Sequence, residues 1–133
     1  MGLGLLTREA ILAAEDLPTE QVPVPEWKGD VLVRSLTGVE RDAFEESLYT
    51  GQGKDRQQNL SNLRARLAAL TVVDENGNRV FSDDDAAQLG EKSAAALDVV
   101  FSVAQRLSGL SARDVEKLTK NSKPGPSAAT TSG

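Results

Sequence analysis

The chain has 133 residues, of which 39% are hydrophobic and 26% charged, with a formal net charge of −5. It contains neither cysteine nor histidine, which excludes disulfides, thiolate nucleophiles, zinc sites built on those residues and the commonest general base. The acidic balance disfavours a surface that tracks phosphates, and no apolar run approaches the ~20 residues that span a bilayer.

These bounds predict one domain over residues 1–121, soluble and cytoplasmic, with a modest core. The opening Met-Gly-Leu-Gly-Leu-Leu is too short for a signal peptide and has no basic region before it. Leu6 stands where N-myristoylation needs Ser or Thr.

Thr7 is a plausible cap for a short helix beginning at Arg8, and Leu6 and Ile11 have hydrophobic-staple spacing. Leu17-Pro18 breaks it. Val22 and Val24 then alternate with Pro23 and Pro25, Glu26 to Asp30 form a turn containing Gly29, and Val31-Leu32-Val33 follows. That order predicts a β-hairpin. The prolines cannot donate to a ladder, so the first strand is expected at a sheet edge or as an extended arm.

Thr37-Gly38-Val39-Glu40 spells a capping box, which starts a helix near Gly38. Val39, Ala43, Phe44, Ser47 and Leu48 recur at helical spacing as its inward face, with Glu40, Arg41, Asp42, Glu45 and Glu46 outward. Gly51 and Gly53 mark a flexible link. Leu60, Leu63, Leu67 and Leu70 form the stripe of the next helix, with Arg56, Arg64 and Arg66 elsewhere on its surface.

Thr71 to Phe81 reads as a second, small hairpin around Asn76-Gly77, a dipeptide suited to a type I′ turn. Ser82 and Asp83-Asp84-Asp85 cap a helix of about two turns that Gly90 interrupts. From Lys92 a long helix carries Ala96, Leu97, Val100, Phe101, Ala104 and Leu107 on one face, broadened by Val99 and Val103, apolar enough to be the central core helix. Ser108-Gly109 ends it, and Ser111 to Asp114 caps a last helix containing Val115 and Leu118. Residues 122–133, rich in Pro, Gly, Ser, Thr and Ala, have nothing to bury and are expected to be a disordered tail. The fold class is therefore α+β and mainly helical: a hairpin with a Pro-containing arm packed on four or five helices.

No motif carries chemistry. Asp74-x-Asn76-x-Asn78 alternates oxygens as a calcium loop does, but Arg79 occupies the place that needs Gly, so the reading is a plain turn. Gly51-Gln52-Gly53-Lys54 lacks the spacing and the Ser or Thr of a phosphate loop. Asp83, Asp84 and Asp85 are consecutive, so they diverge and cannot converge on one ion. The expectation is no catalytic residue, no metal and no cofactor. Lys54, Arg56, Arg64 and Arg66 form a basic cluster whose alternative function is nucleic-acid binding by a small regulator, although no aromatic residues among them could stack bases. Trp27, the only tryptophan, either folds back on the domain or serves as a binding anchor.

The run from Val22 to Asp42, with Pro-Glu-Trp before the turn and Arg-x-Leu-Thr-Gly-x-Glu-Arg after it, resembles the tail assembly chaperones of long-tailed phages. Leu-Leu-Thr-Arg-Glu-Ala-Ile-Leu near the start, Leu70 to Gly77, Phe81-Ser82-Asp83 and Leu107 to Ser111 agree with it. Lys28 stands where a second glycine is more usual. The resemblance implies a non-catalytic protein of the host cytoplasm, absent from the finished virion. Such a protein binds and solubilises the tape-measure protein and helps tail-tube subunits polymerise around it. It further implies a longer frameshifted product that engages the tail-tube protein, to be sought beyond Asn121, and allows self-association. Trp27, Val31, Val33 and Phe44 are the expected partner-binding residues, because a hairpin edge beside an apolar helix makes a groove.

Overall fold

The computed structural model describes residues 4–110. Expectations for the capped helix at Ser111, the domain limit at 121 and the tail at 122–133 lie outside the described residues. Helix α1 (Arg8–Ala13) is capped by the Thr7 side chain, which accepts from the Ala10 N–H at 3.1 Å. None of its residues is buried. Leu6 and Ile11 remain 68% and 56% exposed, so the staple spacing does not bring them into the core.

Strands β1 (Thr19–Val24) and β2 (Gly29–Arg34) form the expected antiparallel hairpin, with Val22 opposite Val31 and Pro23 opposite Asp30. A 3-10 turn (Pro25–Trp27) joins them, and Lys28 completes the reversal at φ 61°, a left-handed conformation that suits glycine better than lysine. Strand β1 lies at the edge of a three-stranded sheet ordered β1-β2-β5, so Pro23 sits where a missing donor costs least.

Helix α2 (Gly38–Ser47) begins with the predicted capping box, in which Thr37 Oγ1 accepts the Glu40 N–H and Glu40 Oε1 accepts the Thr37 N–H, both at 3.0 Å. Phe44 and Leu48 are buried, but Val39 is 80% exposed and Ala43 is also exposed. Leu36, just before the cap, takes the inward place instead. Glu40 is not outward either, because it turns back onto Arg34.

The Gly51–Gly53 link is a small hairpin of β3 (Tyr49–Thr50) and β4 (Gln57–Gln58). Gly51 has φ 78°, and a Cβ there would lie 2.3 Å from the Asp55 carbonyl oxygen, so the tight loop requires glycine. Helix α3 spans Leu63–Thr71, shorter than the leucine stripe predicted, and leaves Leu60 outside at 38% exposure. Arg66 explains the delayed start. It donates to the carbonyls of Ser61, Asn59 and Ser47 at 3.0, 2.8 and 2.5 Å, which holds residues 59–61 out of the helix. Ala65, Leu67, Ala68, Ala69, Leu70 and Thr71 are all buried, so α3 is enclosed rather than one-faced. The buried Thr71 hydroxyl donates to the Leu67 carbonyl at 2.8 Å.

Strand β5 (Val72–Val73) pairs with β2 and also bridges to Arg79. The second reversal is therefore present, but only Gly77 (φ 84°), not Asn76, has positive φ. Asp74 N–H donates to Asn78 O at 2.8 Å and Gly77 N–H to Asp74 O at 2.9 Å, the bonding of a three-residue loop with a left-handed glycine rather than a type I′ turn. Asp74 Oδ1 accepts from the Asn76 and Asn78 N–H groups, which decides the hairpin geometry in place of an ion. A 3-10 turn (Asp83–Asp85), closed by a Ser82–Asp85 capping box, runs into α4 (Ala86–Leu89).

Helix α5 (Ala94–Leu107), capped by Ser93, is the longest element described and buries Ala96, Leu97, Val100 and Ala104; Val99 falls outside the stripe. It packs against α3 and across β1 and β2. It ends in a left-handed glycine motif: Leu110 N–H reaches Gln105 O at 2.8 Å and Gly109 N–H reaches Arg106 O at 3.2 Å. One core results, with Val22, Val24 and Val33 of the hairpin meeting Phe44, Leu48, Leu67 and Val100. The fold is α+β and mainly helical, as predicted.

Candidate partner-binding surface

The four residues expected to meet a partner do not share one surface. Val33 is completely buried and Phe44 is 2% exposed, so both complete the core. Phe44 also edges a small hollow of about 190 Å³ beside Arg66 and Leu70. Val31 and Trp27 are half-buried at the margin of the core. The burial follows from register. Val31 and Val33 share one face of the hairpin, and α5 packs across both strands and the turn between them.

Trp27 ends the 3-10 turn, and its ring forms one wall of a groove of about 710 Å³. Val80 and Phe81, following the second reversal, and Leu89 of α4 supply the rest of its apolar lining. Glu26, Asp85 and Gln88 edge it, with Lys92 the single cation. Val80 is 52% exposed, and Glu26 has no ion pair among the described residues. Trp27 Nε1 is buried with no hydrogen-bond partner among the described residues. An unsatisfied buried donor costs about 1–3 kcal/mol.

The sequence singled out Trp27 but not Val80, Phe81 or Leu89. The apolar pair Val80-Phe81 after the Asn-Gly reversal is the available signal, because it lies in no predicted helix and Val80 stays exposed while Phe81 is only partly buried.

A second apolar surface lies at α1, where Leu5, Leu6, Ile11 and Leu12 are between 56% and 102% exposed. Neither surface holds a reactive constellation, and among the described residues no three of His, Cys, Asp or Glu gather as metal ligands. No helix among the described residues is long and apolar enough to cross a membrane.

The basic cluster does not form a row of free cations. Arg64 pairs with Asp98, Arg56 reaches Glu46 at 3.8 Å and lies 4.2 Å over the Tyr49 ring, and Arg66 is occupied by the carbonyls of the 59–61 segment. Burial lowers the Arg66 pKa from its ordinary value. A phosphate backbone would have to displace these partners.

A family model described as phage tail assembly chaperone matches residues 7–120. No curated protein and no solved structure matches the chain. The match runs from the cap of α1, through the hairpin and the Trp27 groove, to beyond α5, and on that span the chain belongs to the phage tail assembly chaperone family.

Proposed function

We propose that this chain is a non-catalytic chaperone that binds the tape-measure protein, keeps it soluble in the host cytoplasm and promotes tail-tube polymerisation around it, without entering the finished virion. The observation that carries this reading is apolar surface left outside a completed core. Leu5, Leu6, Ile11 and Leu12 are exposed, and in the Trp27 groove Val80 is exposed while Trp27 and Phe81 are only partly covered by the core. Contiguous exposed apolar surface on a charged domain serves association, and the net charge of −5 opposes aggregation of the loaded complex. Trp27 and Val31 are the proposed contact residues of the hairpin. A longer frameshifted product, with its extra sequence beyond Asn121, would bring the tail-tube protein to the same complex.

Co-expression with the tape-measure protein of the same phage tests this reading. The expected result is a shift of tape-measure protein from the pellet to the soluble fraction. An unchanged distribution with and without the chaperone contradicts it.

A further inference from the structure

The geometry points to a basic amphipathic helix as the occupant of the Trp27 groove: an apolar stripe seated on Trp27, Val80 and Phe81, edged by Lys or Arg facing Glu26 and Asp85. This rests on the chaperone reading for the claim that the occupant is a client.

Three observations select this chemistry. The volume of about 710 Å³ and the aromatic wall fit several apolar side chains, not a single one. The nearest free strand edge, β1, carries Pro23, which has no donor to offer an added strand, so a partner here binds through side chains in a helix-in-groove manner.

Charge supplies the third. Every arginine from Arg34 to Arg106 is engaged inside the chain: Arg34 with Glu40, Arg41 with Glu45, Arg79 with Asp83 and Arg106 with Glu20, besides the three of the 56–66 cluster. Glu26 is left without a cation among the described residues, and two acids face one lysine around the groove. The complementary partner therefore brings positive charge, which also speeds encounter with an acidic protein.

Trp27 is the only tryptophan in the chain, so its emission reports on the groove alone. The probes are two synthetic helices of roughly 18 residues, about five turns, one of Leu and Lys and one of Leu and Glu in the same pattern. The Leu/Lys helix is expected to shift the emission saturably and the Leu/Glu helix to leave it unchanged. Glu26→Lys and Val80→Glu, both at exposed positions, are expected to weaken binding about tenfold or more. Asp55→Lys, outside the groove, should change it less than about twofold; circular dichroism of each variant establishes that it is folded. Equal binding of both helices, equal loss in Glu26→Lys and Asp55→Lys, or an emission shift that follows protein concentration without peptide overturns the proposal, the last by making the occupant a second copy. Capture of the tape-measure protein undiminished by Glu26→Lys and Val80→Glu also overturns the groove while leaving the chaperone reading intact. Failure of wild type to capture it, with the peptide response as expected, supports the groove and overturns the chaperone reading.

Discussion

Arg34 Nη2 donates to both carboxylate oxygens of Glu40, at 2.6 and 2.7 Å, with the two side chains only 12% and 17% exposed. The pair joins the end of β2 to the first turn of α2. The same guanidinium reaches the Ser35 and Leu70 carbonyls at 3.1 and 3.4 Å, so it also ties in the end of α3. Removing one partner leaves the other charge buried. Arg34→Met is therefore expected to lower unfolding stability by about 3 kcal/mol in urea titration. Glu40→Gln keeps an acceptor for the Thr37 N–H but leaves the Arg34 charge without its counter-ion, so it is expected to cost about 3 kcal/mol as well.

The two threonine caps predict opposite outcomes for one chemical change. Thr37 caps a helix that places Phe44 and Leu48 in the core, so Thr37→Ala should cost about 1 kcal/mol of global stability. Thr7 caps α1, which buries nothing. Thr7→Ala should leave the urea midpoint unchanged while amide exchange in α1 speeds up, because that helix opens without the core.

Lys28 holds a left-handed conformation at φ 61° without the glycine that suits it. Relief of about 1–2 kcal/mol of backbone cost, less about 0.5–1 kcal/mol of added unfolded-state entropy, makes Lys28→Gly stabilising by roughly 0.5–1 kcal/mol. Thermal unfolding measures it as a higher midpoint.

Trp27→Phe removes the unpartnered Nε1–H while keeping an aromatic wall. Loss of the orphan donor offsets the smaller ring, so stability should stay within about 1 kcal/mol of wild type. Trp27→Ala, which opens the groove, should be destabilising by about 2–4 kcal/mol. Denaturant titration of the pair separates the polar cost from the packing gain.

The main elements were legible because each has its own local signal. The capping box at Thr37 and Glu40, the valine alternation at Val22 and Val24, and the α5 stripe each fix an element without help from the rest of the fold. What could not be read depends on contacts between distant segments. Arg66 sets the start of α3 by collecting carbonyls from both sides, which no helical period encodes. Strands β3 and β4 have two residues each, too few for alternation to appear. Val39 matched the inward spacing, yet it precedes the point where α2 meets the core. The groove was half legible. Trp27 stands out in the sequence as the only tryptophan, but its pairing with Val80, Phe81 and Leu89 arises only when the second reversal folds beside the first.

We propose that this acidic domain holds the tape-measure protein through apolar surface outside its core. Co-purification from cells expressing both, with a tag on the chaperone alone, tests it most directly. The account predicts a soluble complex that survives size-exclusion chromatography with wild type and is depleted with Val80→Glu. Recovery of the chaperone free of tape-measure protein, at matched expression of both, would contradict it.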